Sequence, residues 1–559
     1  MTIRTAPSHP DLRPPGPRLM WLTWLALLTC AALLLLGCDR APDGAPHTRA
    51  QSQAPTSQSA GGNAAFTVLA GSELKDVEPA LMQAAQAAGV ALRISYAGTL
   101  DMVERVNAGE RFDALLPPNG AYPVLALHTA PAAREKLFYS RVALGVKTPV
   151  AQQLGWRADA PPTWAAIAKA AAAGQLRYGM TNPSSSNTGM SALFAVASAA
   201  AGKTEDLSEH EIKADVLKDF LKGQQLTAGS SGWLAEAFER DPSAVNALVN
   251  YEAVILRLNE KLPAAERLTL IYPQDGVITA DYPLLLLNPA RRDEYDALVA
   301  QIKAPAFQGA PLQQAFLRPA NPEAAPNPAL PSAAVAELSF PNRLEVIDTV
   351  LMAYQADLRR PATSIFVLDV SGSMHGQRLA DMQRALRLLS GAEGGAASQR
   401  YAAFQARERV ALIRFSGDVS APEYIAFAPG TLAQDRQRVI AYTGQLQANG
   451  ATAIYDALAQ AHQVAAEELK RDANRFISIV LLTDGENNRG RSLREFSAER
   501  QQWEQAHGPH AASVRVFPII FGEADARDMQ AVATLTGGRA FDARKSSLAQ
   551  VFKEIRGYQ

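Results

Sequence analysis

The stretch Thr363-Ser364-Ile365-Phe366-Val367-Leu368-Asp369-Val370-Ser371-Gly372-Ser373-Met374 decides the fold. Residues 363–370 are apolar and β-branched, which predicts a buried strand. The strand runs out into Asp369-Val370-Ser371-Gly372-Ser373, and a helix is expected after Met374. Alternate residues of extended backbone face the same way, so a strand-end carboxylate and two hydroxyls spaced two apart converge on one ion. Gly372 permits the tight turn between them. Such a donor set suits Mg²⁺, a small hard cation that takes oxygen ligands at about 2.0–2.1 Å and keeps some water.

Two more segments, reading outward, add oxygens to this set. Gly450-Ala451-Thr452-Ala453-Ile454-Tyr455-Asp456 precedes a predicted helix and offers Thr452. The apolar run 476–482 predicts a buried strand that ends Thr483-Asp484-Gly485 and offers Asp484. Two carboxylates at adjacent strand ends would repel without a cation. The three segments, in this order, resemble the von Willebrand factor A family over about residues 361–559. The resemblance implies a doubly wound, Rossmann-like α/β domain with a metal-ion-dependent adhesion site formed by Asp369, Ser371, Ser373, Thr452 and Asp484. Its cofactor would be Mg²⁺, with Mn²⁺ or Ca²⁺ as alternatives, and a carboxylate from a protein partner would complete the metal shell. Further strands at 410–415, 514–521 and 539–543 and a last helix at 547–555 place the site at the carboxyl edge of the sheet. His375, Glu486 and Asp456 nearby read as solvated or supporting groups.

Upstream, strands and helices alternate. Strands are predicted at 66–70, 92–96, 112–116, 176–180, 247–251, 268–272 and 282–287, with a helix at 190–201. Alternation of this kind implies a parallel sheet with helices on both faces, and ligands at the carboxyl ends of its strands. The loop Thr181-Asn182-Pro183-Ser184-Ser185-Ser186-Asn187-Thr188-Gly189 brings hydroxyls, amides and backbone N–H groups to a helix start, which makes an anion-binding place. Chain order, together with Gly71-Ser72-Glu73-Leu74, the 182–189 loop and Tyr272-Pro273-Gln274-Asp275-Gly276, resembles the extracytoplasmic solute-binding proteins of ABC transporters over about residues 66–318. The resemblance implies two α/β lobes hinged around a cleft that closes on a small solute. Ser72, Thr99, Asn119, Ser186, Asn187 and Thr188 match its ligand-holding loop positions, and Tyr251 and Asp281 are candidates for the cleft lining. A Ser or Asn at a helix start is also an ordinary helix cap.

At the N-terminus, Arg4, Arg13 and Arg18 precede an apolar run at 19–37, the layout of a secretory signal. The run ends Leu35-Leu36-Gly37-Cys38, which resembles the lipobox of bacterial lipoproteins. The resemblance implies a lipoprotein signal at residues 1–38, with Cys38 lipidated and left as the mature N-terminus, and retention through Asp39 at the periplasmic side of the inner membrane. An uncleaved signal anchor is the alternative, since the run is close to the ~20 residues that span a bilayer. Residues 39–63 are rich in Ala, Pro, Ser, Gln and Gly and predict a flexible tether with a reach of about 25–30 Å. The expected organisation continues with a solute-binding-like domain at 64–318, a Pro/Ala-rich linker at 319–337, a connecting helix at 338–360 and the A-type domain at 361–559.

The chain has 559 residues, too many for one ordinary domain, and 48% of them are hydrophobic, enough to fill more than one core. With 54 Lys and Arg against 55 Asp and Glu, and no dense basic block, nucleic acid is not an expected partner. The only cysteines are Cys30 and Cys38, so no disulfide framework or thiolate metal site can form downstream. No paired His ligands, HExxH or Gly-x-Ser-x-Gly elbow stands in the sequence, and an enzyme is not expected. The expected function is a membrane-anchored extracytoplasmic binding protein that holds a partner through its adhesion site. The alternative is the substrate receptor of an ABC transporter, with the A-type domain as a docking module.

Overall fold

The computed structural model describes residues 65–391, 402–508, 513–544 and 548–558. The signal, Cys38 and the tether lie outside the described residues. Among the described residues, no helix is long and apolar enough to cross a membrane.

The chain enters a first lobe with β1 (Phe66–Ala70), β2 (Leu92–Tyr96), β3 (Ala114–Leu116) and β4 (Ala133–Lys136). It crosses at Leu137 into a second lobe with β5 (Phe138–Lys147), β6 (Tyr178–Thr181), β7 (Gln224–Ala228), β8 (Ala247–Tyr251), β9 (Leu268–Ile271) and β10 (Thr279–Ala280). It returns through Asp281 and Tyr282 to β11 (Pro283–Leu286) in the first lobe, and β12 (Arg318–Pro319) follows. The first sheet has the order β2-β1-β3-β11-β4, and the second β10-β5-β8-β6-β7, with β9 and β12 also on β5. The two crossings are adjacent: Leu137 N donates to Tyr282 O at 3.2 Å, and the Phe138 and Tyr282 rings lie 5.0 Å apart. Tyr282 sits there with φ of 33°, a left-handed conformation that costs a bulky residue energy unless its surroundings hold it.

Five strands of this domain, β4, β5, β7, β10 and β12, were not predicted. β5 reads Phe-Tyr-Ser-Arg-Val-Ala-Leu-Gly-Val-Lys, and its Ser140, Arg141 and Gly145 break the apolar run. β7 opens on Gln224, which is buried because its amide donates to Met180 O and Thr227 Oγ1, each at 3.2 Å. The Pro/Ala-rich stretch, expected as a spacer, is instead bound to the second lobe. Arg318 forms a bidentate pair with buried Glu252 at 2.7 and 2.9 Å, and Glu337 accepts from Thr279 N and Oγ1, both at 2.8 Å. The connecting helix is shorter than expected: it runs Leu344–Ala353 and ends in one π-helical turn, Tyr354–Leu358.

The second domain carries β13 (Ala362–Asp369), β14 (Arg409–Phe415), β15 (Glu423–Ala426), β16 (Phe476–Thr483), β17 (Arg515–Ile520) and β18 (Phe541–Asp542) in the order β15-β14-β13-β16-β17-β18. All contacts are parallel except β14 with β15. Every residue of β13 is buried. Phe366 and Leu368 join the core on one face, and Ile365 and Val367 the core on the other. This two-residue alternation between two apolar layers is what a doubly wound sheet requires. Each such side chain contributes about 1.5–3 kcal/mol by leaving water. The strand order reverses beside β13, so the carboxyl ends of β13 and β16 form the crevice where such sheets place ligands.

Candidate functional site

In the first domain, the segments after β1, β2, β6, β7 and β8 meet along the seam between the lobes. Ser72 opens a short 3-10 turn after β1, and its Oγ accepts from Gly232 N of the other lobe at 3.3 Å. Thr99 opens the helix Thr99–Asn107 and Ser186 precedes the helix Asn187–Ala201. Asn187 Nδ2 donates to the Tyr251 hydroxyl at 3.0 Å, and the Thr188 hydroxyl bonds that of Ser231. Ser72, Thr99, Ser186, Asn187, Thr188 and Tyr251 are all buried. Asn119 and Asp281 have other work at the crossing. Asn119 Oδ1 accepts from Ala121 N at 2.8 Å, while Asp281 accepts from Gly120 N at 3.2 Å and pairs with Lys136 at 3.1 Å.

The lobes are closed on each other. A Cβ built on Gly98 of the first lobe would lie 2.2 Å from the Ser185 carbonyl oxygen of the second. Along this seam Glu73 Oε1, Thr99 Oγ1, Asn187 Oδ1, Ser230 Oγ and the Tyr282 hydroxyl are buried with no protein partner. Buried polar atoms are nearly always hydrogen-bonded, so a cluster of exceptions needs a reason. Four of the backbone N–H groups expected to hold an anion are consumed within their own loop. Ser184 N donates to Asn182 Oδ1 at 3.0 Å, Ser185 N and Ser186 N to Asn182 O at 3.0 Å, and Gly189 N to Thr181 Oγ1 at 2.8 Å. Glu73, Ser230 and Tyr282 were not singled out from sequence. Glu73 stands in the Gly71-Ser72-Glu73-Leu74 turn, where no role is read for it from sequence.

The mouth of this seam is covered by the second domain. Its last helix, Leu548–Arg556, places Lys553 on Glu104 of the first lobe. Its end meets the second lobe: Asn182 Nδ2 donates to Arg556 O at 3.4 Å, and a Cβ on Gly557 would lie 2.6 Å from Gly229 Cα. The Arg539 guanidinium stacks 3.9 Å above the Trp233 ring. Between the three parts lies a cavity of about 60 Å³, lined by Gly98, Asp101, Ser185, Trp233, Lys553 and Gly557 among others. Burial pushes the carboxyls of Asp101 and Glu554 up, to about 6 and about 7.

In the second domain the five expected metal-site residues come together at the strand-order reversal. Asp369 and Asp484 are fully buried. Asp369 Oδ1 accepts from Ser371 N at 2.8 Å and Oδ2 from Thr483 Oγ1 at 2.6 Å. Ser371 Oγ lies 3.1 Å from Ser373 Oγ, which donates to Asp484 Oδ1 at 2.8 Å. A Cβ on Gly485 would lie 3.4 Å from Ser373 Oγ and 3.9 Å from Thr452 Oγ1, which puts both hydroxyls against the same turn. Burial pushes the Asp369 carboxyl up, against its hydrogen bonds, and the Asp484 carboxylate adds to the rise. Among the described residues no group of three or more His, Cys, Asp or Glu is placed to hold a metal. The present set is of another kind, two carboxylates and three hydroxyls, and this all-oxygen chemistry fits a small divalent cation. Sequence reasoning missed Arg378, whose Nη1 donates to Asp484 Oδ2 at 2.5 Å from a partly exposed position. A guanidinium there opposes a second cation. Arg378→Ala is therefore expected to tighten Mg²⁺ binding about two- to fivefold by calorimetry; unchanged affinity would show that the guanidinium does not compete.

Residues 66–315 match the bacterial extracellular solute-binding protein family, and residues 364–486 match the von Willebrand factor type A domain family. A 129-residue stretch is 33% identical to inter-alpha-trypsin inhibitor heavy chain H4 of Sus scrofa, covering 22% of this chain but only 12% of that protein. Among solved structures, the periplasmic binding protein P5PA is similar at 15% identity over 53% of this chain and 99% of its own, with a TM-score of 0.42. A von Willebrand factor type A protein from Catenulispora acidiphila is similar at 17% identity over 36% of this chain and 42% of its own, with a TM-score of 0.28. With both family matches falling on the domains described above, this chain carries a solute-binding-protein-type domain followed by a von Willebrand factor A-type domain.

Proposed function

We propose that the chain is an extracytoplasmic solute receptor whose first domain closes on a small polar ligand for delivery to an ABC transporter, with the A-type domain as its docking module. The observation that carries this reading is the row of buried, unpartnered polar atoms along the lobe seam. Protein groups leave them unsatisfied, and a polar solute would satisfy them. The family match at 66–315 supports the same reading. Lipidation of Cys38 at the periplasmic face of the inner membrane belongs to the proposal, with an uncleaved anchor as its alternative. The test is a thermal-shift screen of the chain from Asn63 onward against a broad small-molecule library. A saturable stabilisation is expected for at least one compound class; no shift with any compound would remove the receptor reading.

A second reading, metal-dependent capture of a partner protein, is favoured by the convergence of Asp369, Ser371, Ser373, Thr452 and Asp484. These residues would hold Mg²⁺, which supplies a Lewis-acid position for a partner's carboxylate. Mg²⁺ titration is expected to raise the unfolding temperature of the wild type and leave Asp369→Ala unmoved. Equal responses of the two proteins would disconnect the metal from this site.

A further inference from the structure

We infer that the solute taken by the first domain is a small organic ammonium compound, its charged nitrogen held against Glu73. The inference rests on the receptor reading above and gives it a ligand class. Two buried glutamates set the contrast. Glu252 is fully buried and fully matched, with Arg318 bidentate on it and Arg141 N donating at 3.0 Å. Glu73 is 7% exposed, and its Oε1 has no partner. The carboxyl curls back over the end of β1: a Cβ on Gly71 would lie 2.3 Å from Oε1 and 2.9 Å from Oε2. Gly71 has an ordinary φ of −67°, so its lack of a side chain serves space and not backbone conformation.

The nearest cation does not cancel Glu73. Arg257 is committed to the Asp76 carboxylate at 2.7 Å, to Ala315 O at 2.7 Å and to the backbone carbonyl of Glu73 at 3.3 Å. Arg257 and Asp76 together are neutral, which leaves the Glu73 charge over. Burial pushes this carboxyl up to about 7, as expected for an acid lacking a matched counter-ion. The remaining unpartnered atoms include acceptors, although the Trp233 Nε1 donor is also without a partner and hydroxyls both donate and accept. Asn187 spends its Nδ2 on Tyr251, so its free Oδ1 is an acceptor, while Thr99 and Ser230 offer hydroxyls that can accept and the Tyr282 hydroxyl faces the Glu73 carboxyl. Tyr251 and Tyr282 stand beside the carboxyl with ring centroids 6.0 Å apart. A carboxylate, a free amide oxygen and two aromatic rings suit an ammonium group through charge, hydrogen bonding and cation–π attraction. An oxyanion would meet the Glu73 charge at close range, and the N–H groups of Ser184, Ser185, Ser186 and Gly189 are already spent within the loop.

The experiment is calorimetry on the chain from Asn63 onward with matched probes: 1,4-diaminobutane, choline and L-lysine against 1,4-butanediol, succinate and inorganic phosphate. At least one ammonium probe is expected to bind saturably, and Glu73→Gln to weaken it at least 30-fold, roughly what loss of a buried charge-assisted pair of about 2 kcal/mol or more gives. Gly71→Ala, which crowds the carboxyl while keeping its charge, should weaken the same probe and serves if the first variant is misfolded by circular dichroism. Binding of the diol, succinate or phosphate in place of the ammonium probes overturns the ligand class and leaves the receptor reading standing. Ammonium binding that survives both variants also overturns it. Silence of every probe overturns the ligand class, and the broad screen then decides the receptor reading separately.

Discussion

Glu408→Ala is expected to lower the stability of the chain by about 3–5 kcal/mol, because it strands two guanidiniums in the interior. Glu408 is 2% exposed and lies between Arg359, at the end of the connecting segment, and Arg556, on the last helix. Burial alone would raise its carboxyl; Arg556 and Arg359 reverse this and hold it below its ordinary value of 4.5. The depressed value fixes the sign of the pH dependence. The contribution is present above about 4.5 and is lost as pH falls through the lowered value. Denaturant unfolding at pH 7 measures the loss, and Glu408→Gln, which keeps the shape and one acceptor, should lose less. A loss under about 1 kcal/mol for the alanine variant would mean that the guanidiniums find water. Arg556 also donates to Ala402 O at 3.1 Å, so this triad helps seat the helix that covers the cleft.

The second large effect is expected from one methyl group. Gly98→Ala puts a carbon 2.2 Å from the Ser185 carbonyl, a backbone atom that no side-chain rotation can clear. Gly98 has φ of −73°, so alanine suits the backbone and only the closed contact is penalised. Overpacking of this kind costs about 1–3 kcal/mol, which is roughly 5- to 150-fold in the closed population. The expected result is a larger radius of gyration in small-angle scattering, with ligand affinity falling by the same factor. Gly430→Ala, whose added carbon meets open space, is the matched control. Scattering curves that coincide for Gly98→Ala and wild type would show that the lobes relax without opening.

The sequence signal was strongest where local pattern and tertiary need agree. β13 and β16 read as strands because each carries a run of four consecutive apolar residues, 365–368 and 479–482, and both end in oxygen-bearing turns at the reversal of strand order. The same logic recovered β1, β2 and β8. It failed at β5, where Ser140 and Arg141 break the run although the strand forms the crossing between lobes. It failed again at the Pro-rich stretch, because the pairing of Glu337 with Thr279 spans 58 residues and has no local trace. Glu73 and Arg378 were illegible for a related reason. An acid in a helix-start turn and an arginine in a first helical turn look solvated until a distant segment closes over them.

The helix Leu548–Arg556 reaches the first lobe through Lys553 and the second through Arg556 and Gly557. Held by both rims, a rigid rod behaves like a caliper set to one width. Opening of the cleft must break its grip on at least one jaw, so the hold of the A-type domain on the rest of the chain gauges lobe separation. Linkage makes the gauge work in reverse as well. On the receptor reading proposed above, a partner that drew the A-type domain away would loosen the solute by the same factor by which the solute would keep that domain in place.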